Sequence, residues 1–124
     1  MIKRKSTRRR HLVEALRSGK YTQGQNALES VSPQRNCCLG VACRVAMKDG
    51  LDLPVRADGA VVRFDGAVGV LPHSVMDWYG FMMRSGDYGG YVGCSLVDDN
   101  DRSRLTFEQI ADIIESEPAG LFTD

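Results

Sequence analysis

An apolar segment at residues 37–48 constrains the fold of this chain more than any other feature. It reads Cys-Cys-Leu-Gly-Val-Ala-Cys-Arg-Val-Ala-Met-Lys, and its spacing predicts a helix with apolar residues around most of its circumference. Asn36 precedes the segment as a favoured N-cap, and Gly50 follows it as a favoured stop. Because a helix that is apolar on nearly every side is normally buried, we predict that residues 37–48 form the central core helix.

Three further helices and a small sheet are predicted around it. The helices are predicted at residues 8–18, 72–79 and 106–117, the last opening with the capping box Thr-Phe-Glu-Gln. The dipeptide Asp65-Gly66 predicts a hairpin of strands 60–64 and 67–71. Residues 91–97 are a third strand candidate, residues 20–28 an edge strand or extended loop, and residues 84–90 a mobile loop. We therefore predict a single small α+β domain with about four helices packed on a small antiparallel sheet.

The charge is balanced in total but unevenly distributed. Sixteen Lys and Arg residues face sixteen Asp and Glu residues, yet the first twenty positions hold eight of the bases and only one acid, Glu14. We predict a disordered basic tail at residues 1–6 and a globular domain at residues 7–124. The run Arg8-Arg9-Arg10 can neutralise phosphates, so nucleic acid is a candidate partner for this basic arm.

No membrane or targeting segment is evident. The basic residues are not followed by the roughly 7 to 15 apolar residues of a signal peptide, and no stretch approaches the ~20 that span a membrane. We expect a cytoplasmic protein without membrane contact, in which the cysteines remain thiols. A homo-oligomer is compatible with this composition.

The cysteines at positions 37, 38, 43 and 94 admit several chemistries. Structural zinc sites favour two Cys-x-x-Cys pairs, which this spacing lacks, so we predict no metal ion and no cofactor. Filling of a tight core contact is the expected role. A thiol in the first turn of a helix has a lowered pKa, however, so Cys37 and Cys38 are alternative catalytic nucleophiles with His73 as a candidate base.

Residues 38–41 (Cys-Leu-Gly-Val), followed by Gly50 and Leu53-Pro54, resemble the helix start of papain-like cell-wall peptidases. That resemblance implies a cysteine hydrolase or transferase acting through Cys37 or Cys38. The match departs at the base, because that family carries a histidine in a downstream His-hydrophobic-Gly setting, and this chain offers only His11 and His73.

A broader resemblance covers most of the chain. It rests on Cys-Cys-Leu-Gly-Val at residues 37–41, with supporting matches at residues 14–24, 71–80 and 105–115. These segments resemble a family of small proteins encoded by bacteriophages and prophages. The resemblance implies a viral accessory protein in the bacterial host cell and supplies no reaction, so we expect a protein that acts by binding.

Two classes of partner remain open: a host protein, such as a defence protein that the chain inhibits, and a small anionic, nucleotide-like ligand. The candidate ligand-binding residues are Lys20, Gln23, Gly24, Arg35, Cys37 and Arg63. Lys20, Arg35 and the first amides of the core helix are predicted to converge on one anion, because a helix N-terminus favours negative charge.

Overall fold

The computed structural model describes residues 4–89 and 94–124 and confirms a small α+β domain. Within those residues the chain forms five helices and four short strands. In chain order they are α1 (Lys5–Arg17), β1 (Glu29–Ser30), β2 (Arg35–Asn36), α2 (Cys38–Lys48), β3 (Val55–Asp58), β4 (Val61–Phe64), α3 (His73–Tyr79), α4 (Leu96–Asp101) and α5 (Phe107–Ser116). Among these described elements no helix is long and apolar enough to cross a membrane.

The four strands form one antiparallel sheet in the order β2-β1-β4-β3. β1 and β2 are joined by a turn at residues 31–34, and Ser30 pairs with both Arg35 and Val61. Val62 and Phe64 of β4 point inward and are buried, whereas every residue of the edge strand β3 is exposed. The sheet therefore contributes to the core mainly through β4.

The predicted hairpin was right in its turn and in its first strand, which is β4, and wrong in its second strand. Asp65 and Gly66 both have positive φ, and Phe64 and Ala67 exchange two backbone hydrogen bonds across them. Residues 67–71 then leave the sheet, because the Val68 carbonyl accepts a hydrogen bond from the Leu28 amide instead of extending the pair. In the sheet β4 pairs with β1 on one side and with β3 on the other, and β3 was not predicted.

α2 is the central helix, as predicted. Eight of its eleven residues are buried. It begins one residue later than expected, and Asn36 does not cap it: Cys37 is the N-cap residue, while the Asn36 side chain donates to the Leu28 carbonyl (3.2 Å) and to Glu29 Oε1 (2.9 Å). Asn36 is therefore a buried β2 residue that joins α2 to the sheet.

A glycine allows α2 to lie directly against the chain before β1. A Cβ atom built on Gly40 would sit 1.6 Å from the Leu28 carbonyl oxygen, far inside any tolerated contact. On another side of the helix, the fully buried Tyr79 donates its hydroxyl proton to the Ala42 carbonyl at 2.8 Å. The glycine of the Cys-Cys-Leu-Gly-Val segment thus has a packing role.

The remaining elements correct the prediction in part. Leu96 and Val97, assigned to a third strand, belong to α4, while residues 90–93 of the proposed loop and strand lie outside the described residues. Residues 84–89 form no helix or extended strand. The capping box is confirmed, since Thr106 and Gln109 bond reciprocally at the start of α5. α3 begins at His73, one residue after Pro72, and ends at Gly80 with φ +80°.

The basic arm is more ordered than the sequence suggested. α1 begins at Lys5, so Lys5 and Ser6 of the predicted tail are helical. Arg9 is buried: its Nε donates to the Tyr79 carbonyl at 2.7 Å and its guanidinium lies 3.7 Å above the Phe122 ring. α1 is therefore anchored to α3 and to the C-terminal residues.

Candidate functional site

Arg35 lines a groove of about 270 Å³ at the surface, here called the Arg35 groove. Its walls are residues 24–27, Ser30 and Pro33 of the β1–β2 turn, Arg35 of β2 and Arg104 of the segment before α5. Two segments far apart in sequence thus place two guanidinium groups on one concave surface.

Both arginines are available to a ligand. Neither makes an ion pair or a side-chain hydrogen bond within the described residues, and no Asp or Glu side chain lines the groove. The Gln25 and Ala27 amides likewise donate to no acceptor in those parts of the chain. The groove therefore offers two charged, planar donor groups, an arrangement suited to an oxyanion.

The back of the groove is fixed by close packing. A Cβ atom on Gly24 would lie 2.8 Å from the Cβ atom of Arg35, so only glycine lets these two segments approach. The Gly24 amide donates to the Asn36 carbonyl at 2.8 Å, and the Asn36 amide donates to the Thr22 carbonyl at 2.9 Å. These two bonds form a short parallel ladder that holds residues 22–24 beside β2.

Asn100 supports this ladder from the interior and was not predicted. It is completely buried, and its Nδ2 donates to the Gly24 carbonyl at 2.8 Å. Its Oδ1 accepts from Gln23 Nε2 (2.9 Å) and from the Cys38 amide (3.2 Å). One side chain of α4 thereby fixes the groove wall and the first turn of α2 together.

The predicted ligand residues are only partly brought together. Gly24 and Arg35 line the same groove, and Gln23 lies behind it, where its side chain also donates to the Leu105 carbonyl at 2.8 Å. Arg63 lies on β4, where its Nε pairs with Asp58 Oδ2 at 2.6 Å. Arg104 was missed because nothing in the local sequence connects it to Arg35.

Lys20 faces a different part of the surface. It lines two grooves, one of which is bordered by Gln34 and Asn36, whereas Arg35 between them lines the Arg35 groove. Since successive residues of a strand point to opposite faces, Lys20 and Arg35 lie on opposite sides of β2. The Cys38 amide is also already bonded to Asn100. The structure therefore does not bring Lys20, Arg35 and the α2 amides to one point.

The cysteine environment does not favour nucleophilic chemistry. Burial raises the pKa of the Cys37 thiol to about 11, against smaller lowering effects from the Gly40 and Leu39 amides. Burial also raises the pKa of Cys38, whose Sγ donates to the Leu96 carbonyl at 3.6 Å. All four cysteines are free thiols, and His73 is exposed at the start of α3 with no hydrogen bond to either thiol. A nucleophile needs an accessible thiolate, which burial of this kind opposes.

Two arginines of the basic arm have structural partners. Arg9 pairs with Glu117 (3.1 Å) and Asp124 (2.5 Å) in addition to its bond to Tyr79. Arg8 donates to the Trp78 carbonyl at 3.0 Å and stacks 3.5 Å above the Trp78 ring. These contacts hold α1 in place and leave Arg10 as the exposed member of the run.

Comparison with known proteins gives a family and no nearer relative. Neither the curated proteins nor the solved structures contain a match to this chain. A family model matches residues 4–118, a span that includes α1 to α5 and both arginines of the Arg35 groove. The chain therefore belongs to the family described as a domain of unknown function, DUF8296.

Proposed function

We propose that this protein is a phage-type accessory protein that acts in the cytoplasm of a bacterial host by binding, and that the Arg35 groove holds an anionic group of its ligand. The observation that carries the proposal is the pair of arginines, Arg35 and Arg104, that share one groove without an acidic partner in the described chain. The Cys-Cys-Leu-Gly-Val resemblance supports the phage-type role.

A small ligand fits this groove better than an extended polymer. Its volume of about 270 Å³ is close to the lower end of small-molecule sites, which begin near ~300 Å³. Guanidinium groups, which Arg35 and Arg104 both carry, bind phosphate and carboxylate through paired N–H donors. Sequestration of a small phosphate-bearing ligand is therefore the preferred activity, and inhibition of a host defence protein through an acidic group is the alternative.

Calorimetry tests the proposal. The titrants are inorganic phosphate, pyrophosphate, and mono-, di- and cyclic nucleotides, measured against wild type, Arg35→Ala, Arg104→Ala and the control Arg56→Ala. Arg56 is an exposed arginine on the edge strand β3, away from the groove. We expect at least one titrant to bind and each groove substitution to weaken it by about tenfold or more, the scale of a lost charge-assisted hydrogen bond, with Arg56→Ala unchanged.

Two outcomes would contradict this assignment. If every titrant that binds the wild type also binds both groove variants equally well, the Arg35 groove is not the ligand site. No binding of any titrant would refute a small phosphate-bearing ligand and leave a protein partner as the hypothesis to pursue.

A further inference from the structure

The opposite side of β2 carries two adjoining grooves that share Lys20 and Tyr21, here called the Tyr21 trough. One groove, of about 290 Å³, lies between α1 and the end of α2 and includes His11, Lys48 and Asp49. The other, of about 210 Å³, includes Arg44 and Glu29. Tyr21 borders both grooves, half-buried against the hydrophobic core.

Two acidic side chains of the trough contact basic side chains. His11 Nδ1 lies 2.8 Å from Asp49 Oδ2, and these side chains are 29% and 13% exposed. Glu29 is buried, and its carboxylate accepts two hydrogen bonds from Arg44: Oε1 from Nε at 2.8 Å and Oε2 from Nη2 at 2.7 Å.

The third acidic residue of the trough is Glu14, which is exposed on α1. Its Oε1 atom lies 3.7 Å from Arg10 Nε. Every carboxylate in the trough thus faces a basic side chain.

The unpaired charges are positive. Lys20 and Lys48 make no ion pair within the described parts of the chain. Both are exposed, and both line the groove between α1 and the end of α2. The Nη1 group of Arg44 and the Nε2 atom of His11 have no hydrogen-bond partner there either. Lysine ammonium groups bind phosphate as point charges, so the two unpaired ammonium groups of Lys20 and Lys48 suit a phosphate.

An aromatic ring distinguishes the trough from the Arg35 groove, which has none. A half-buried tyrosine beside cations can stack a planar ring while the ammonium groups hold an attached phosphate. We propose that the Tyr21 trough is a binding site for a nucleoside monophosphate, with Tyr21 against the base and Lys20 and Lys48 at the phosphate. This site is separate from the Arg35 groove and does not depend on it.

The probe is AMP, and its binding is measured by calorimetry and by NMR saturation transfer. Adenosine and ribose 5-phosphate are measured in the same way as fragments of AMP. AMP is expected to bind, and each fragment to bind about tenfold more weakly, because each lacks one of the two contacts. Lys20→Ala and Lys48→Ala should each weaken AMP about tenfold, and Tyr21→Leu about fivefold, whereas Tyr21→Phe retains the ring and the affinity.

The controls separate this site from the Arg35 groove. Arg35→Ala and Arg56→Ala should leave AMP binding unchanged, whatever happens to pyrophosphate. The proposal would be overturned if AMP and ribose 5-phosphate bound with equal affinity, or if AMP did not bind at millimolar concentration. It would also be overturned if, among the variants, only Arg35→Ala lost AMP binding. A single-stranded oligonucleotide that binds far more tightly than AMP would also overturn it, in favour of nucleic acid. If Tyr21→Leu fails to fold, the lysine variants and the fragments decide the matter.

Discussion

The contact between Gly40 and Leu28 predicts that a normally stabilising substitution will be strongly destabilising. Gly40 lies inside α2, where replacing glycine by alanine usually stabilises a helix by about 1 kcal/mol. Here the new methyl group would sit 1.6 Å from the Leu28 carbonyl oxygen, well below the 3.0 Å that Cβ contacts essentially never breach. Either α2 or the chain at Leu28 must therefore move.

The contacts of Leu28 indicate how much stability that movement would cost. Leu28 is fully buried, its amide donates to the Val68 carbonyl at 2.6 Å, and its carbonyl accepts from Asn36 Nδ2 at 3.2 Å. Displacing Leu28 disturbs both bonds as well as the packing of α2. Overpacking of this kind costs about 3 kcal/mol or more, a large share of the stability of a small domain. We expect Gly40→Ala to lower the melting temperature by about 10 °C or more.

Gly69→Ala is the matched control. No atom lies within 4 Å of the position that a Cβ atom would take at Gly69, and its φ lies outside the left-handed region, so alanine there should be neutral or stabilising by up to about 1 kcal/mol. Urea denaturation of both variants, monitored by circular dichroism, gives the two free energies of unfolding. Equal stability of Gly40→Ala and wild type would refute the close approach of α2 to Leu28.

Three further predictions concern the interior. Asn100→Ala should destabilise by about 2–5 kcal/mol in urea denaturation, because it leaves the buried Gly24 carbonyl and Cys38 amide unpaired, and a loss below about 1 kcal/mol would contradict the role assigned to Asn100. Burial alone would raise the pKa of Glu29, but hydrogen bonds from Arg44 and Asn36 outweigh it and lower that pKa. The pairing therefore stabilises the fold above the ordinary carboxyl pKa of 4.5, and this stabilisation is lost as the pH falls through the lower pKa of the folded state. Glu29→Gln should flatten the acid side of a curve of unfolding free energy against pH, and an unchanged curve would contradict the pairing. Iodoacetamide at neutral pH should leave the buried thiols, Cys38 among them, unlabelled until the protein unfolds, and rapid native labelling of Cys38 would revive the hydrolase hypothesis.

Local signals in the sequence predicted the elements whose causes are local. The capping box at Thr106 and the apolar circumference of residues 37–48 each act within a few residues, and both were confirmed. The Asp65-Gly66 turn also formed. The strand before the turn was confirmed as β4, but the strand after it was misassigned because pairing is decided across the fold. The exposed β3 shows no apolar alternation, while the apolar residues 67–71 follow the turn without joining the sheet.

The candidate site divides in the same way. Arg35 was a reasonable choice as a cation ahead of the core helix, but its partner Arg104 is 69 positions away and meets it only in the folded chain. The burial of Asn100 was not predicted, because it lies in a polar stretch that favours a loop and nothing local distinguishes a buried asparagine from an exposed one. Arg9 was predicted as a candidate phosphate contact, because its acceptors in the fold, including Asp124, lie at the other end of the sequence.

The ladder between residues 22–24 and β2 separates two grooves. It consists of two neighbouring stretches of backbone joined by the Gly24 and Asn36 amides, and each surface of it borders a different groove. A shift of Asn36 toward one groove narrows that groove and widens the other. Thermodynamic linkage is reciprocal. If a ligand in one groove changes the affinity of the other groove for its ligand by some factor, the second ligand changes the affinity for the first by the same factor. The amide resonances of Gly24 and Asn36 would report occupancy of either side, which makes this ladder the natural place to observe communication across the protein.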